Sequence, residues 1–381
     1  VRQSGISEEE TSMPAPKTYR VAVIGRTGKG NYGHGLDTVW LGMDRVEIVA
    51  VADEDEPGRK AAAERLKAKN AYADYREMLR QEKPHIVSVA DRWLDAHRDM
   101  VVACAEAGAS IFLEKPLCRT LREADDMVAA CEKHHVKLAI AHQTRYSPRL
   151  KVIKDLIAEG RIGDILELRG RGKEDARGGG QDLMVLGTHI FDLMRFLAGD
   201  ARSCFARIWQ NRRKALPGDV RMGGEGMGQV QGDHIFADYS FDNGVVGSFG
   251  THKATQGAGS RFALHVFGTK GAIQVQTGGL PAAYLLEDPS WMPGKSKALW
   301  QEITSAGVGK PEPLKDGGLG MGNKLIAQDL IDSIESDRQP LGSMYDGRAA
   351  LEMISAVYES HKLGRPVELP MKNRKHPLAS S

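Results

Sequence analysis

The chain has 381 residues, and at roughly 100 to 200 residues per domain that length excludes a single small module and fits two domains. With 41% hydrophobic and 27% charged residues it carries enough apolar material for packed cores, which excludes a disordered chain. Its 52 basic and 50 acidic residues leave a net charge of +2 with no long Lys/Arg run, and its longest apolar runs are strand-sized, so neither nucleic acid nor a membrane is an expected partner.

The first segment, residues 1–17, is rich in Ser, Glu and Pro without an apolar core, and reads as a mobile lead. The cytoplasm is the expected location, with export left open because the chain begins with Val. From Tyr19 the pattern changes to short apolar runs: YRVAVIG (19–25), VEIVAVA (46–52), HIVSVA (85–90), SIFLE (110–114) and KLAIA (137–141). Such nearly continuous runs suit strands buried on both faces, as in a parallel sheet. Helical patterns at 57–69, 75–81, 97–107 and 121–134 separate them, the last with Leu121, Ala124, Met127, Val128 and Cys131 on one face. This alternation predicts a doubly wound α/β domain ending near His142.

After a linking helix at 148–159 the runs become longer and are separated by turns: 164–172, 204–210, 235–252 and 262–276. The Asp242-Asn243-Gly244 and Thr269-Lys270-Gly271 clusters fold the last two into hairpins, giving a second, mostly antiparallel sheet. Helices at 324–335 and 347–363 close the chain, and no internal repeat is visible. The expected division is a nucleotide domain at 18–145, a substrate and oligomerisation domain at 146–370 and a tail at 371–381. Cys104, Cys118, Cys131 and Cys204 show no CxxC spacing and read as buried reduced thiols, and the twelve histidines form no HExxH cluster, so no metal is expected.

The loop after the first strand runs from Gly25 through Arg26, Thr27, Gly28, Lys29 and Gly30 to Gly33 and Gly35. A strand, a glycine-rich turn and then a helix would bring backbone N–H groups and a helix dipole to a pyrophosphate. Two registers fit imperfectly: Gly25-x-Thr27-x-x-Gly30 has Thr at the second glycine, and Gly28-x-Gly30-x-x-Gly33 starts three residues late. Asp53, ending the second strand, suits an adenosine ribose, or else a turn or helix cap. The acidic run Asp53-Glu54-Asp55-Glu56 would repel a 2′-phosphate and favours NAD over NADP, with Arg26, Lys29 and Arg59 arguing the other way. Glu114-Lys115-Pro116 ends the fifth strand, where reactive groups of open α/β sheets gather. Arg92 and Trp93 follow the fourth strand and pack on a cofactor or on ordinary neighbours. Arg145 and Tyr146 follow the sixth and suit a substrate's hydroxyls or carboxylate. The run Arg171, Lys173, Glu174, Asp175 and Arg177, with Gly178 to Gly180, reads as a substrate-side loop or a solvated one.

These features, together with Ser147-Pro148, Gly160-Arg161-Ile162-Gly163, GGGQDLMVLGTHIFDLMRFLAG (178–199), GTKGAI (268–273) and AVYESHKLGRPVELP (356–370), resemble the glucose-fructose oxidoreductase / inositol dehydrogenase (Gfo/Idh/MocA) family, in order from Tyr19 to Pro370. The resemblance implies a Rossmann domain followed by an α/β domain with a large open sheet whose face supports a dimer or tetramer. It also implies a final helix and tail that return to the nucleotide domain. It makes Lys115 the catalytic or substrate-orienting lysine and Pro116 a candidate cis residue. Cofactor contacts would come from Gly25, Thr27, Gly28, Gly30, Asp53, Arg92, Trp93, Glu114 and Pro116, and substrate contacts from Arg145, Tyr146, Lys173 and Asp182.

The family's Asp-x-x-x-His signature is broken here, because His189 is present but Val185 stands four residues before it. Asp192, three residues after His189, shares its helical face and is expected to orient it, unless both simply tie the helix down. The leading expectation is NAD-dependent oxidation of a sugar, cyclitol or related polyol, with His189 as base and Lys115 steadying the alkoxide. The alternatives are a glycoside-cleaving enzyme with tightly held NAD that works by transient oxidation and elimination, and a dinucleotide or sugar sensor without turnover.

Overall fold

The computed structural model describes residues 17–254 and 261–379, so the lead at 1–17 falls, except for Lys17, outside the described residues. The apolar runs build a six-stranded sheet from β1 (Tyr19–Ile24), β2 (Val46–Ala52), β3 (Asn70–Tyr72), β4 (Ile86–Val89), β5 (Ser110–Leu113) and β6 (Leu138–Ile140). Its order is β3-β2-β1-β4-β5-β6, every pair parallel. Both faces are covered: Val21, Val23 and Phe112 enter one core, while Ala22, Ile24 and Leu113 enter the other. Strand order reverses between β1 and β4, and a ligand crevice opens at such a reversal, at the carboxyl ends of the strands.

Helices α1 (Glu56–Leu66), α2 (Tyr75–Glu82), α3 (His97–Glu106) and α4 (Leu121–Lys133) alternate with the strands. Thr120 caps α4 by accepting from Glu123 N–H at 3.2 Å, and the expected face of Leu121, Ala124, Met127, Val128 and Cys131 is buried. The helix expected after the glycine loop does not form. Arg26 and Asn31 pair as a short antiparallel bridge, turns follow, and only a single 3-10 turn (Thr38–Trp40) precedes β2.

The second sheet contains β7 (Ile165–Arg171), β8 (Ala201–Gln210), β12 (His234–Phe241), β13 (Val246–His252), β14 (Ala263–Gly268), β15 (Ala272–Gln276), β16 (Ala283–Leu286), β17 (Gln301–Thr304), β18 (Gly307–Val308) and β19 (Val367–Glu368). The short β9 (Arg213–Lys214) pairs with β8, while β10 (Arg221–Met222) and β11 (Gln229–Val230) form a separate hairpin. The order is β18-β17-β16-β15-β14-β7-β13-β12-β8-β19, with both expected hairpins present and the β7/β13 pair parallel. The remaining helices are α5 (Pro148–Ala158), α6 (Gly180–Val185), α7 (Gly187–Ala198), α8 (Pro293–Ser296), α9 (Leu319–Glu335) and α10 (Met344–Leu363). α10 packs on β8 and α7 and also on α4 and β6, so it touches both halves of the chain. α9 gives Ile326, Ala327, Leu330 and Ile331 to the core of the first sheet that holds Val21 and Val23. The tail returns as well: Arg374 pairs with Asp125 at 2.6 Å and with Glu352 at 2.6 Å. All four cysteines are buried and unpaired, and among the described residues no helix is long and apolar enough to cross a membrane.

Candidate active site

The crevice is bounded first by the glycine loop. Gly28, Gly30 and Gly33 all have positive φ, of 81°, 89° and 65°. Gly30 and Gly33 also sit in close approach: a Cβ on Gly30 would lie 2.7 Å from Arg92 Cβ, and one on Gly33 2.6 Å from the Ala90 carbonyl oxygen. The complete register, Gly28-x-Gly30-x-x-Gly33, is therefore the one with the backbone demand for glycine at all three positions. Gly25 serves a different purpose, since a Cβ there would strike the Tyr32 ring at 2.3 Å.

Asp53 stands at the end of β2 as expected, but its carboxylate is occupied within the protein. It accepts from Thr27 N–H at 3.0 Å, Thr27 Oγ1 at 2.7 Å, Tyr32 OH at 2.9 Å and Asp55 N–H at 3.1 Å. The threonine in place of the second glycine thus latches the loop to β2. Arg59 donates to the Asp53 carbonyl at 2.7 Å, and Asp55 caps α1 through Gly58 N–H at 2.7 Å. Asp53→Ala is accordingly expected to weaken NADH and NADPH binding alike by about tenfold, through loss of the several bonds that latch the loop to β2. Fluorescence titration of both nucleotides checks it, and a change in NADPH binding alone would contradict it.

At the carboxyl ends of β4 and β5, two buried polar atoms lack a partner among the described residues: Arg92 Nε and Glu114 Oε2. Buried polar groups are ordinarily paired, so two orphans at neighbouring strand ends suit a polar ligand laid across them, as the ribose and carboxamide of a nicotinamide nucleotide would be. Glu114 Oε1 is 2.7 Å from His34 Nδ1, and Trp93 packs against Gly30. The Lys115–Pro116 peptide is cis.

Lys115 Nζ donates to the Val185 carbonyl at 3.2 Å. That acceptor is free because the helix breaks between α6 and α7, and His189 N–H turns to the Leu186 carbonyl at 3.1 Å. Burial lowers the Lys115 pKa from its ordinary value; the charges of Glu114 and Glu225 oppose the shift, and those of Arg177 and Arg92 add to it. His189 is nearly buried, and burial, then the charges of Lys115 and His142, hold its pKa well below 6.5. It is a neutral imidazole at neutral pH.

Three expectations need correction. Asp192 does not orient His189: its carboxylate accepts from Arg145 Nε at 3.0 Å and Nη2 at 2.7 Å, and pairs with His142 Nδ1 at 3.1 Å. The guanidinium fork beside it offers a stronger, two-pronged partner. Arg145 and Tyr146 do not present their polar groups to a substrate. Arg145 is buried against Asp192, and Tyr146 OH donates to Asp329 at 3.0 Å and accepts from Gly342 N–H at 2.7 Å. Asp182 is fully buried, accepting from Lys173 N–H and Glu174 N–H at 3.2 Å each and from Thr251 Oγ1, so it braces the 172–174 loop. Lys173 itself stays half-exposed, 3.8 Å from Asp175.

The Arg145–Asp192 pair invites a stability test. Asp192→Ala strips the buried Arg145 guanidinium of its two-pronged partner, leaving it Asp346 at 3.3 Å and the Leu341 carbonyl at 3.2 Å, and is expected to cost about 3 kcal/mol, read as a lower urea midpoint at unchanged slope. A midpoint equal to that of the parent would contradict it.

Sequence reasoning missed His142, His34 and Glu225. His142 follows β6 as Lys115 follows β5, so strand-end position was the available signal; its ring lies 5.3 Å from that of His189. Glu225 gave no such signal. It reaches the crevice on the turn between β10 and β11, where its carbonyl accepts from Leu94 N–H at 3.1 Å.

Comparison with known proteins places this arrangement. The chain is 28% identical over 240 residues to levoglucosan dehydrogenase of Pseudarthrobacter phenanthrenivorans, covering 56% of this chain and 60% of that protein. It is 26% identical over 383 residues to D-apiose dehydrogenase of Paraburkholderia graminis, covering 96% and 93%. The fold superposes on a levoglucosan dehydrogenase solved with NADH and levoglucosan with a TM-score of 0.75 at 23% identity, covering 93% of this chain and all of that one. Residues 19–142 match the family model described as "Oxidoreductase family, NAD-binding Rossmann fold", and residues 154–369 its companion, described as "C-terminal alpha/beta domain". With both models matched in order on this fold, the chain belongs to the Gfo/Idh/MocA oxidoreductase family.

Proposed function

We propose that this chain is an NAD-dependent dehydrogenase that oxidises a carbinol carbon of a sugar, cyclitol or related polyol. Residues 18–145 hold the nucleotide and residues 146–370 supply the substrate side and the surface for a dimer or tetramer. The observation that carries the reading is Lys115, on the nucleotide sheet, docked on the helix break that leads directly into His189. NAD, when bound, accepts the hydride. His189, enclosed and neutral, takes the hydroxyl proton, and Lys115 donates to the same oxygen as negative charge grows on it. Gly28, Gly30, Arg92, Trp93 and Glu114 line the nucleotide's path, and Lys173 reaches from the 172–177 loop toward the substrate. The names of the relatives, levoglucosan and D-apiose dehydrogenases, support a polyhydroxylated substrate. The outer face of the second sheet, with exposed Phe236, Val246 and Tyr284, supports self-association.

Free sugars, cyclitols and aryl glycosides incubated with NAD, with NADH absorbance and product chromatography read together, test the reading. One oxidised product per NADH is expected. Aglycone release without net NADH would favour glycoside cleavage, and saturable binding without any product would favour a sensor.

A further inference from the structure

The glycine loop lacks the two features that usually attract a diphosphate. No helix follows it, so no helix dipole points at the crevice. Its backbone donors are also largely consumed: Gly25 N–H goes to Ala52, Arg26 N–H to Asn31, Thr27 N–H to Asp53, Gly28 N–H to the Asn31 side chain, and Lys29 and Asn31 N–H to Arg26. A ligand with two negative charges still has to be met by positive charge, and with most of the loop's backbone donors engaged the larger share of it falls to side chains.

Arg26 is placed to do so. Its Nη1 lies 2.9 Å from both Asp91 Oδ2 and Asp95 Oδ1, and its Nη2 lies 3.3 Å from Asp95 Oδ2. These aspartates follow β4, so the side chain spans the β1 and β4 loops at the point where strand order reverses, which is the ligand crevice. It is only 10% exposed, and Asp91 is fully buried. Without this guanidinium two carboxylates would line the crevice and repel a phosphate. Those bonds use three of the five guanidinium N–H donors, leaving two for a ligand. Lys29, exposed at the tip of the same bridge, adds a second cation whose charge also reaches Asp95.

We propose that Arg26 and Lys29, in place of a helix N-terminus and a cradle of free backbone N–H groups, supply the positive charge that holds the diphosphate of the dinucleotide, with Asp91 and Asp95 fixing the Arg26 guanidinium across the crevice. This rests on the nucleotide-binding role of the first domain.

The test is equilibrium binding of NADH and of ADP-ribose to the full chain, by fluorescence and calorimetry at low and moderate salt, with Arg26→Gln and Lys29→Gln. Arg26→Gln is expected to raise Kd for both ligands at least about tenfold, and Lys29→Gln about threefold, with the larger loss at low salt because the screened contribution is the one removed. Unchanged Kd in Arg26→Gln would overturn the assignment. So would weakened binding in Arg26→Gln accompanied by a lower melting temperature and by normal binding in Lys29→Gln, because Arg26 would then be only a strap between loops. If the parent chain itself bound neither ligand, the nucleotide-binding role would fail, and this assignment with it.

Discussion

His189→Ala abolishes turnover at saturating NAD while Kd for NADH stays within about twofold of the parent. The imidazole belongs to α7, outside the glycine loop, so its removal leaves the nucleotide's supports in place, whereas loss of a proton-transfer group costs about 10² to 10⁴ in rate. Burial and the neighbouring charges of Lys115 and His142 push its pKa well below 6.5, against the opposing charge of Asp192. The base form therefore dominates through the neutral range, and the parent's rate holds as pH drops past 6.5, falling only well below it. Linkage gives a second readout. An unfolded histidine takes up a proton near pH 6.5 while the folded one stays neutral, so stability declines as pH falls from about 6.5 toward the depressed folded value. In His189→Ala that part of the acid destabilisation disappears. Full activity of this variant with a verified substrate would show that another group is the base.

What the sequence disclosed follows a physical division between local and distant information. The strands at 19–25, 46–52 and 110–114, the cap at Thr120 and the turns at 242–244 and 269–271 are each set by residues within a few positions of one another, and all form. Lys115 and His189 were legible because each stands at a strand end or inside a recognisable motif. The partners of Asp192 and Asp182 were not, because Arg145 is 47 positions away and Thr251 is 69. Helical spacing correctly put Asp192 on the same helix as His189, but only the folded chain brings up a guanidinium that outcompetes the imidazole. The glycine loop shows the same limit. Thr27 was visible as a departure from the glycine pattern, yet its bond to Asp53, 26 positions on, and the Tyr32 hydroxyl that shares that carboxylate were not. Part of the sheet face that a helix after the loop would cover is filled by α9, whose residues lie some three hundred positions downstream and carry no local sign of that destination.

Lys115→Ala folds, binds NADH as the parent does, and loses about 10² to 10⁴ in kcat. Among the described residues the side chain's one hydrogen bond is to the Val185 carbonyl, a contact worth about 1 kcal/mol in stability, so the fold survives without it. In the reaction the requirement is larger: the ammonium meets an oxygen that gains charge as its proton passes to His189, inside a site where burial strengthens such interactions. The same burial lowers the lysine's pKa from 10.5, with Glu114 and Glu225 holding it back, so the parent's rate should decline on an alkaline limb that begins below pH 10.5 as the ammonium is lost. That limb should be missing from the residual activity of Lys115→Ala. Lys115→Arg keeps the charge but presents a planar fork where a compact ammonium fits, and is expected to recover only part of the rate. The two profiles separate a catalytic role from a structural one. A lysine that merely ties β5 to the α6–α7 break would, when removed, lower the melting temperature and leave both kcat and the alkaline limb in place.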